Sequence, residues 1–131
     1  MREIARGAPN ASPDSVFIGN GVSELIDLAL RGLLNPGDEV LVPSPDYPLW
    51  TAAVILNGGY AVHYPCHPQN DFVPDIADIE VRITPRTRAI VAVHLAGWPC
   101  DMDPIMALAR ERGIQVVEDC AQAHGAAYKG R

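Results

Sequence analysis

Short runs of β-branched and apolar residues alternate along the chain with longer segments in which apolar residues recur at helical spacing. This alternation is the strongest constraint on the fold, because strands that alternate with helices form a mostly parallel sheet covered by helices on both faces. The predicted strands are residues 16–19, 39–43, 60–64, 89–95 and 114–118, and the predicted helices are residues 22–34, 48–57, 74–82 and 104–112. The sequence therefore predicts an α/β three-layer sandwich with a mostly parallel five-stranded sheet.

Helix start and stop signals support these boundaries. Asp103-Pro104 reads as an N-cap followed by proline at the first helical position, and Asn57 and Gly113 stand where predicted helices end. Residues 1–14 are predicted to form a tail, and residues 15–131 a single α/β domain.

Length, charge and cysteine usage exclude several classes of function. The chain has 131 residues, a length that predicts one domain whose core needs no disulfide or metal. Its net charge of −6 argues against a nucleic-acid partner. The three cysteines are widely spaced, as in neither a disulfide scaffold nor a paired metal site. Charged residues near the N-terminus and the lack of a long apolar stretch predict no signal peptide and no membrane span. We therefore expect a cytoplasmic protein.

A glycine-rich turn follows the first predicted strand and leads directly into the first predicted helix. Residues 19–24 read Gly-Asn-Gly-Val-Ser-Glu, and the N–H groups and dipole at a helix N-terminus attract phosphate. In a second interpretation, the glycines only allow a tight turn and Ser23 caps the helix. A dinucleotide site is disfavoured, because Glu24 replaces the third glycine of the dinucleotide motif and Pro43 stands where an acidic residue is needed.

Two other strand ends carry candidate binding residues. Tyr47 and Trp50 follow the second strand, at the edge where open α/β sheets bind ligands, and their rings either stack on a flat ligand or pack at a helix start. Asp119 ends an apolar strand, where a carboxylate is costly unless it meets a cation, and Gln122 would face the same ligand. Alternatively, Asp119 caps the following turn. His124 is interpreted as a hydrogen-bonded residue rather than a base.

These sites, in this order, resemble the large domain of fold type I pyridoxal-phosphate-dependent aminotransferases. Residues 16–88, with IGNGVSELI, NPGDEVLVPSPDYPLWTAAV and AVHYPC, resemble the alanine-synthesising branch of the class I enzymes. Residues 89–131, with VHLAGWPCDMDPIMALARERGIQVVEDCAQAHGAAYKGR, resemble the DegT/DnrJ/EryC1 sugar aminotransferases. A seam between the two families near residues 83–90 indicates a chimera or a fragment of such a large domain.

The resemblance implies a pyridoxal 5'-phosphate site and a strand order. The phosphate is assigned to the N–H groups of Gly21, Val22 and Ser23 and the Ser23 hydroxyl, the ring face to Tyr47, the ring nitrogen to Asp119 and the phenolic oxygen to Gln122. The strand order is expected to be third, second, fourth, fifth, with the first strand beside the fifth. In the parent families the site is completed across a homodimer.

The lysine count limits what this chain is expected to do. Its basic residues include a single lysine, Lys129, whereas transamination needs a lysine that reacts with the cofactor. The resemblance places Lys129 before that catalytic position, and places the end of the chain before the small domain. We therefore assign no catalytic residue and no metal ligand, and expect weak cofactor binding at most and no turnover. The parent families transfer amino groups between an amino acid and a 2-oxo acid or keto sugar.

Two alternatives stay open from the sequence. One is a non-catalytic engineered or recombined α/β scaffold. The other is a flavodoxin-like module that binds another phosphate or a nucleotide at the turn of residues 19–23.

Overall fold

Helices and parallel strands alternate in the computed structural model, which describes residues 12–130. The elements are α1 (Val22–Leu33), β1 (Glu39–Ser44), α2 (Pro48–Leu56), β2 (Tyr60–Pro65), α3 (Ile76–Glu80), β3 (Thr87–Val93), α4 (Met102–Arg112) and β4 (Gln115–Asp119). Most of the predicted tail, residues 1–11, lies outside the described residues, and Pro13–Ser15 form a short 3-10 turn. No helix within residues 12–130 combines the length and apolar character needed to cross a bilayer.

The strands form one parallel sheet in the order β2-β1-β3-β4. The α/β class and the order predicted for the second to fifth strands are thereby confirmed. Strands β1 and β3 are adjacent at the centre of the sheet. The connection after β1 leads to β2 on one side of this pair, and the connection after β3 leads to β4 on the other side. Such a reversal leaves a crevice at the carboxyl ends of the central strands, where open α/β sheets bind ligands.

The predicted first strand, residues 16–19, is wrong. This segment is irregular, and its side chains face solvent, with Phe17 73% and Ile18 88% exposed. The described sheet therefore has four strands rather than five, and β4 rather than the predicted first strand forms its edge. A short apolar run becomes a strand only where a neighbouring strand takes up its backbone hydrogen bonds, and no described strand pairs with this one.

Helices α1 and α2 cover one face of the sheet. Val40 and Val42 of β1 point to this face, as expected for residues two apart in a strand. They pack in one apolar cluster with Leu30 of α1 and Trp50 of α2, all at most 2% exposed. Burial of these side chains holds both helices against the sheet.

Helices α3 and α4 cover the opposite face. Leu41 lies between Val40 and Val42 in sequence and points the other way, into a second cluster with Ile90 of β3. Ile79 of α3 and Leu108 of α4 complete this cluster. The two clusters and the sheet between them give the predicted three layers.

Helix α4 begins earlier than the sequence indicates. Met102 is its first residue and Asp101 occupies the N-cap, so the predicted start at Asp103-Pro104 is wrong. Pro104 nevertheless lies in the first turn, where its missing N–H removes no intrahelical hydrogen bond. Asp101 does not cap the helix with its side chain, which instead accepts a hydrogen bond from the Tyr128 hydroxyl. The predicted stop is confirmed: Gly113 has the left-handed conformation, with φ of 68°.

Buried acidic groups stabilise the amino end of β1. Glu39 accepts hydrogen bonds from the Thr84 hydroxyl at 2.5 Å and from the Arg86 guanidinium at 2.6 and 2.9 Å. Burial alone would raise the pKa of Glu39, but these hydrogen bonds outweigh it and hold the pKa below its ordinary value. The backbone N–H of Asn35 is the main cause that lowers the pKa of Asp38.

We expect acid to destabilise the chain through Glu39. A carboxyl group whose pKa is lower in the folded than in the unfolded chain contributes stability above the unfolded value of about 4.3, and this is lost as the pH falls through the folded pKa. Glu39→Gln should therefore reduce the free energy of unfolding by about 1–2 kcal/mol at pH 7, with the difference vanishing in strong acid. Urea unfolding across this pH range measures it. Exposed Glu111 supplies the control, Glu111→Gln, and an equal pH-dependent difference there would refute the assignment to Glu39.

Candidate functional site

A cavity of about 460 Å³ opens at the carboxyl end of the sheet, where the topology predicts a crevice. Pro43 of β1, Val93 of β3 and Asp119 of β4 line it at the ends of their strands. Further apolar surface comes from Tyr64 and Leu95. The cavity thus has an apolar wall and a carboxylate at a strand tip.

Asp119 is held from two directions. Its Oδ2 accepts a hydrogen bond from the indole Nε1 of Trp50, and its Oδ1 accepts one from the backbone N–H of Ala121, both at 3.0 Å. The second bond is the turn cap considered from the sequence, so Asp119 both caps the turn and lines the cavity. The hydrogen bond from Trp50 was not predicted from the sequence. The Trp50 ring packs in the core, as the second of the two interpretations of this residue predicted.

Tyr47 and Gln122 also line the cavity. Tyr47 occupies the N-cap position of α2, and its residue surface is 52% exposed. The Oε1 of Gln122 accepts a hydrogen bond from the backbone N–H of Ala96 at 2.9 Å. Since that bond uses the amide oxygen, the amide nitrogen of Gln122 remains as a donor for other groups.

The glycine-rich turn leaves the start of α1 open. Gly21 is the N-cap, with φ of 85°, and no side chain among residues 12–130 caps the terminus, so the interpretation of Ser23 as a capping residue is wrong. Glu24 instead accepts a hydrogen bond from the N–H of Asn20 at 2.5 Å. Val22 lines the cavity, whereas its neighbours Gly21 and Ser23 are exposed and do not belong to the described lining. The first N–H groups of a helix have no intrahelical partner, so this terminus offers donors to an anion.

His94, Glu118 and Cys120 lie together beside β4, with ligand-type atoms within 4.8 Å of one another. The Nδ1 of His94 accepts the backbone N–H of Cys100 at 3.1 Å, so a neutral ring carries its proton on Nε2, which lies 3.0 Å from Glu118 Oε2. A metal at Nε2 would have to replace that proton. Partial burial is the main cause that raises the pKa of the Cys120 thiol, with the Glu118 and Asp119 carboxylates adding to it.

The sequence profile of the DegT/DnrJ/EryC1/StrS aminotransferase family matches residues 15–131. The chain belongs to this family. Enzymes of this family, like the alanine aminotransferases, depend on pyridoxal phosphate. Family membership argues against the flavodoxin-like alternative.

Curated relatives include both kinds of enzyme that the sequence resembles. The glutamate-pyruvate aminotransferase AlaA of Escherichia coli K12 is 58% identical over 90 residues, which are 69% of this chain and 22% of that enzyme. The dTDP-3-amino-3,4,6-trideoxy-alpha-D-glucose transaminase of Streptomyces venezuelae is 48% identical over 119 residues, 89% of this chain and 31% of that enzyme. The chain thus spans about a fifth to a third of these relatives. The seam near residues 83–90 stays a prediction.

Solved structures of aminotransferases have the same fold. An aminotransferase from Escherichia coli superposes with a TM-score of 0.79 at 45% identity, covering 88% of this chain and 30% of that one. The α/β sheet described above therefore corresponds to part of an aminotransferase chain.

Proposed function

We propose that this chain forms the pyridoxal-phosphate site of an aminotransferase that transfers an amino group between an amino acid and a 2-oxo acid or keto sugar. The observation that carries the proposal is that Val22, Tyr47, Asp119 and Gln122 line one cavity at the carboxyl edge of the sheet, although they belong to three separate segments: the start of α1, the start of α2 and the end of β4. Family membership supplies the cofactor class.

The residues present fit the chemical groups of the cofactor. A phosphate suits the N-terminus of α1, where the N–H groups of Gly21, Val22 and Ser23 and the Ser23 hydroxyl are the proposed donors. A flat ring suits the phenol of Tyr47. Asp119 offers acceptors to a protonated ring nitrogen, and the Gln122 amide nitrogen offers a donor to a phenolic oxygen.

The chain's own residues would bind and orient the cofactor. When bound, pyridoxal phosphate supplies an electron sink for bond breaking next to the amino group. Asp119 would keep a proton on the ring nitrogen, because an anion beside a protonated nitrogen favours the charged form. Gln122 would donate to the ring oxygen, and apolar Val22, Val93 and Leu95 would limit the access of water.

Location and assembly are part of the proposal. Cys66, Cys100 and Cys120 are all free, as suits a reducing cytoplasm. A homodimer that completes the site is proposed from the parent families.

Binding of pyridoxamine phosphate tests the proposed function, because this amine form of the cofactor needs no lysine to hold it. We expect saturable binding in equilibrium dialysis. Binding should weaken by at least about tenfold for pyridoxamine, which lacks the phosphate and the charge-assisted hydrogen bonds it receives. Absence of saturable binding, or equal affinity for the two compounds, would contradict the proposal.

We expect no transamination by the 131-residue chain. Lys129 bonds Asp103 at 2.5 Å and is not among the lining residues of the cavity. The hydrogen bond to Asp103 is the main cause that raises the pKa of the Lys129 amine, which lowers the fraction of neutral amine that can react with an aldehyde. Conversion of alanine and 2-oxoglutarate should not exceed that by free cofactor.

The absorbance spectrum after addition of pyridoxal phosphate provides the control. Any change from reaction of the aldehyde with Lys129 should disappear in Lys129→Ala and persist in Asp119→Asn. Turnover at the rate of an enzyme, lost in Asp119→Asn, would refute this expectation.

A further inference from the structure

The indole of Trp50 connects the core to a side chain that lines the cavity. The residue is 2% exposed and packs in the apolar cluster beneath α2, yet its Nε1 bonds the carboxylate of Asp119, 69 residues away in sequence. A buried indole N–H needs an acceptor. Its acceptor here is a side chain that lines the cavity rather than a backbone carbonyl.

The two hydrogen bonds to Asp119 define the direction of its carboxylate. One comes from Trp50 and the other from the N–H of Ala121, and they engage different oxygens. An ionised carboxylate has about four acceptor positions, so each oxygen keeps capacity for a donor in the cavity. The indole can only donate and carries no charge, so it fixes the carboxylate without neutralising it.

The same helix turn also holds the proposed ring-stacking residue. Tyr47 is the N-cap of α2, and its carbonyl accepts the backbone N–H of Trp50 at 2.9 Å. The start of α2 therefore sets the positions of both Tyr47 and the Asp119 carboxylate. A shift of this turn would therefore move the Tyr47 ring and the Asp119 carboxylate together.

We propose that Trp50 is a positioning residue that aims the Asp119 carboxylate at the ring nitrogen of the cofactor. The inference rests on the proposed function. A positioning role differs from a packing role in one respect: loss of the indole N–H should weaken the binding only of ligands that contact the carboxylate of Asp119.

Two ligands separate these roles. Pyridoxamine phosphate has a ring nitrogen, whereas its 1-deaza analogue carries C–H in that place and offers nothing to Asp119. Trp50→Phe keeps an aromatic ring in the core and removes the donor. We expect it to weaken the binding of pyridoxamine phosphate about tenfold in equilibrium dialysis, because one hydrogen bond to a charged group has an effect of about this size. The affinity for the analogue should stay unchanged.

Trp98 supplies a matched control, because it is the second tryptophan of the chain and is 75% exposed. Trp98→Phe should change neither affinity. Equal weakening of both ligands by Trp50→Phe would show a packing role and overturn the proposal, as would no weakening of either. Failure of the unsubstituted chain to bind pyridoxamine phosphate would overturn the proposed function and this inference together.

A measurement on the unsubstituted chain covers the case in which Trp50→Phe does not fold. The indole N–H signals of the two tryptophans can be followed by NMR. We expect the Trp50 signal to exchange with solvent more slowly than that of Trp98 and to shift when pyridoxamine phosphate binds, but not when the 1-deaza analogue binds. Equal shifts with both ligands would contradict the positioning role.

Discussion

Replacing Asp119 with asparagine is expected to weaken the binding of pyridoxamine phosphate by about 10- to 100-fold, which corresponds to loss of a charge-assisted hydrogen bond. Both carboxylate oxygens are acceptors in the structure, from Trp50 and from the N–H of Ala121. In asparagine one of these positions becomes an NH₂ group that faces a donor. The variant therefore loses the negative charge and one positioning bond together. Equilibrium dialysis at constant pH measures the effect.

Glu118→Gln is the matched control for this substitution. Glu118 is the preceding residue of β4, so its side chain points to the opposite face of the sheet. It lines a separate cavity with Met102 and Tyr128 and lies 3.0 Å from His94. We expect its loss to leave ligand affinity within about twofold, because it does not reach the first cavity. Equal weakening by the two substitutions would mean that net charge, rather than the position of Asp119, governs binding.

Leu30→Ala is expected to reduce the free energy of unfolding by about 3 kcal/mol, since it removes a fully buried side chain and leaves a cavity. Leu30 is 0% exposed and joins α1 to the sheet through Val40 and Val42. Leu28, on the same helix, is 48% exposed, and Leu28→Ala should change the free energy by less than about 0.5 kcal/mol. Urea unfolding compares the two. Similar values would show that α1 is not held by burial of Leu30.

The sequence was sufficient to predict those elements whose pattern is both long and local. Strands β1 to β4 and their order, and the ends of α2 and α4 near Asn57 and at Gly113, follow from apolar runs, from the resemblance and from stop signals. The short run at residues 16–19 has the composition of a strand, but composition does not specify a pairing partner. The start of α4 was misplaced by two residues, because Asp101 and Asp103 are equally plausible caps by type.

The residues of the site that follow strand ends could be predicted from the sequence, whereas contacts made by other segments could not. Asp119 and Tyr47 each follow a predicted strand, and the carboxyl ends of parallel strands meet at one edge, so their presence around one cavity could be anticipated. The hydrogen bond from Trp50 could not, since it joins residues whose separation along the chain gives no local signal. Phe72 also lines the cavity, and it lies in a loop that no strand or helix pattern indicates. Its own φ is positive, at 59°.

The cavity joins the two halves of the sheet. Tyr47 and Trp50 follow β1, which pairs with β2 on one side, whereas Asp119 and Gln122 belong to the end of β4, which pairs with β3. A ligand that contacts both groups binds only when β1 and β3 are docked. By mass action, each tenfold excess of ligand over its dissociation constant adds about 1.4 kcal/mol to the stability of that docked state. Cofactor concentration therefore acts on the same equilibrium as the pairing of β1 with β3, and midpoints of thermal unfolding should rise with the logarithm of ligand concentration.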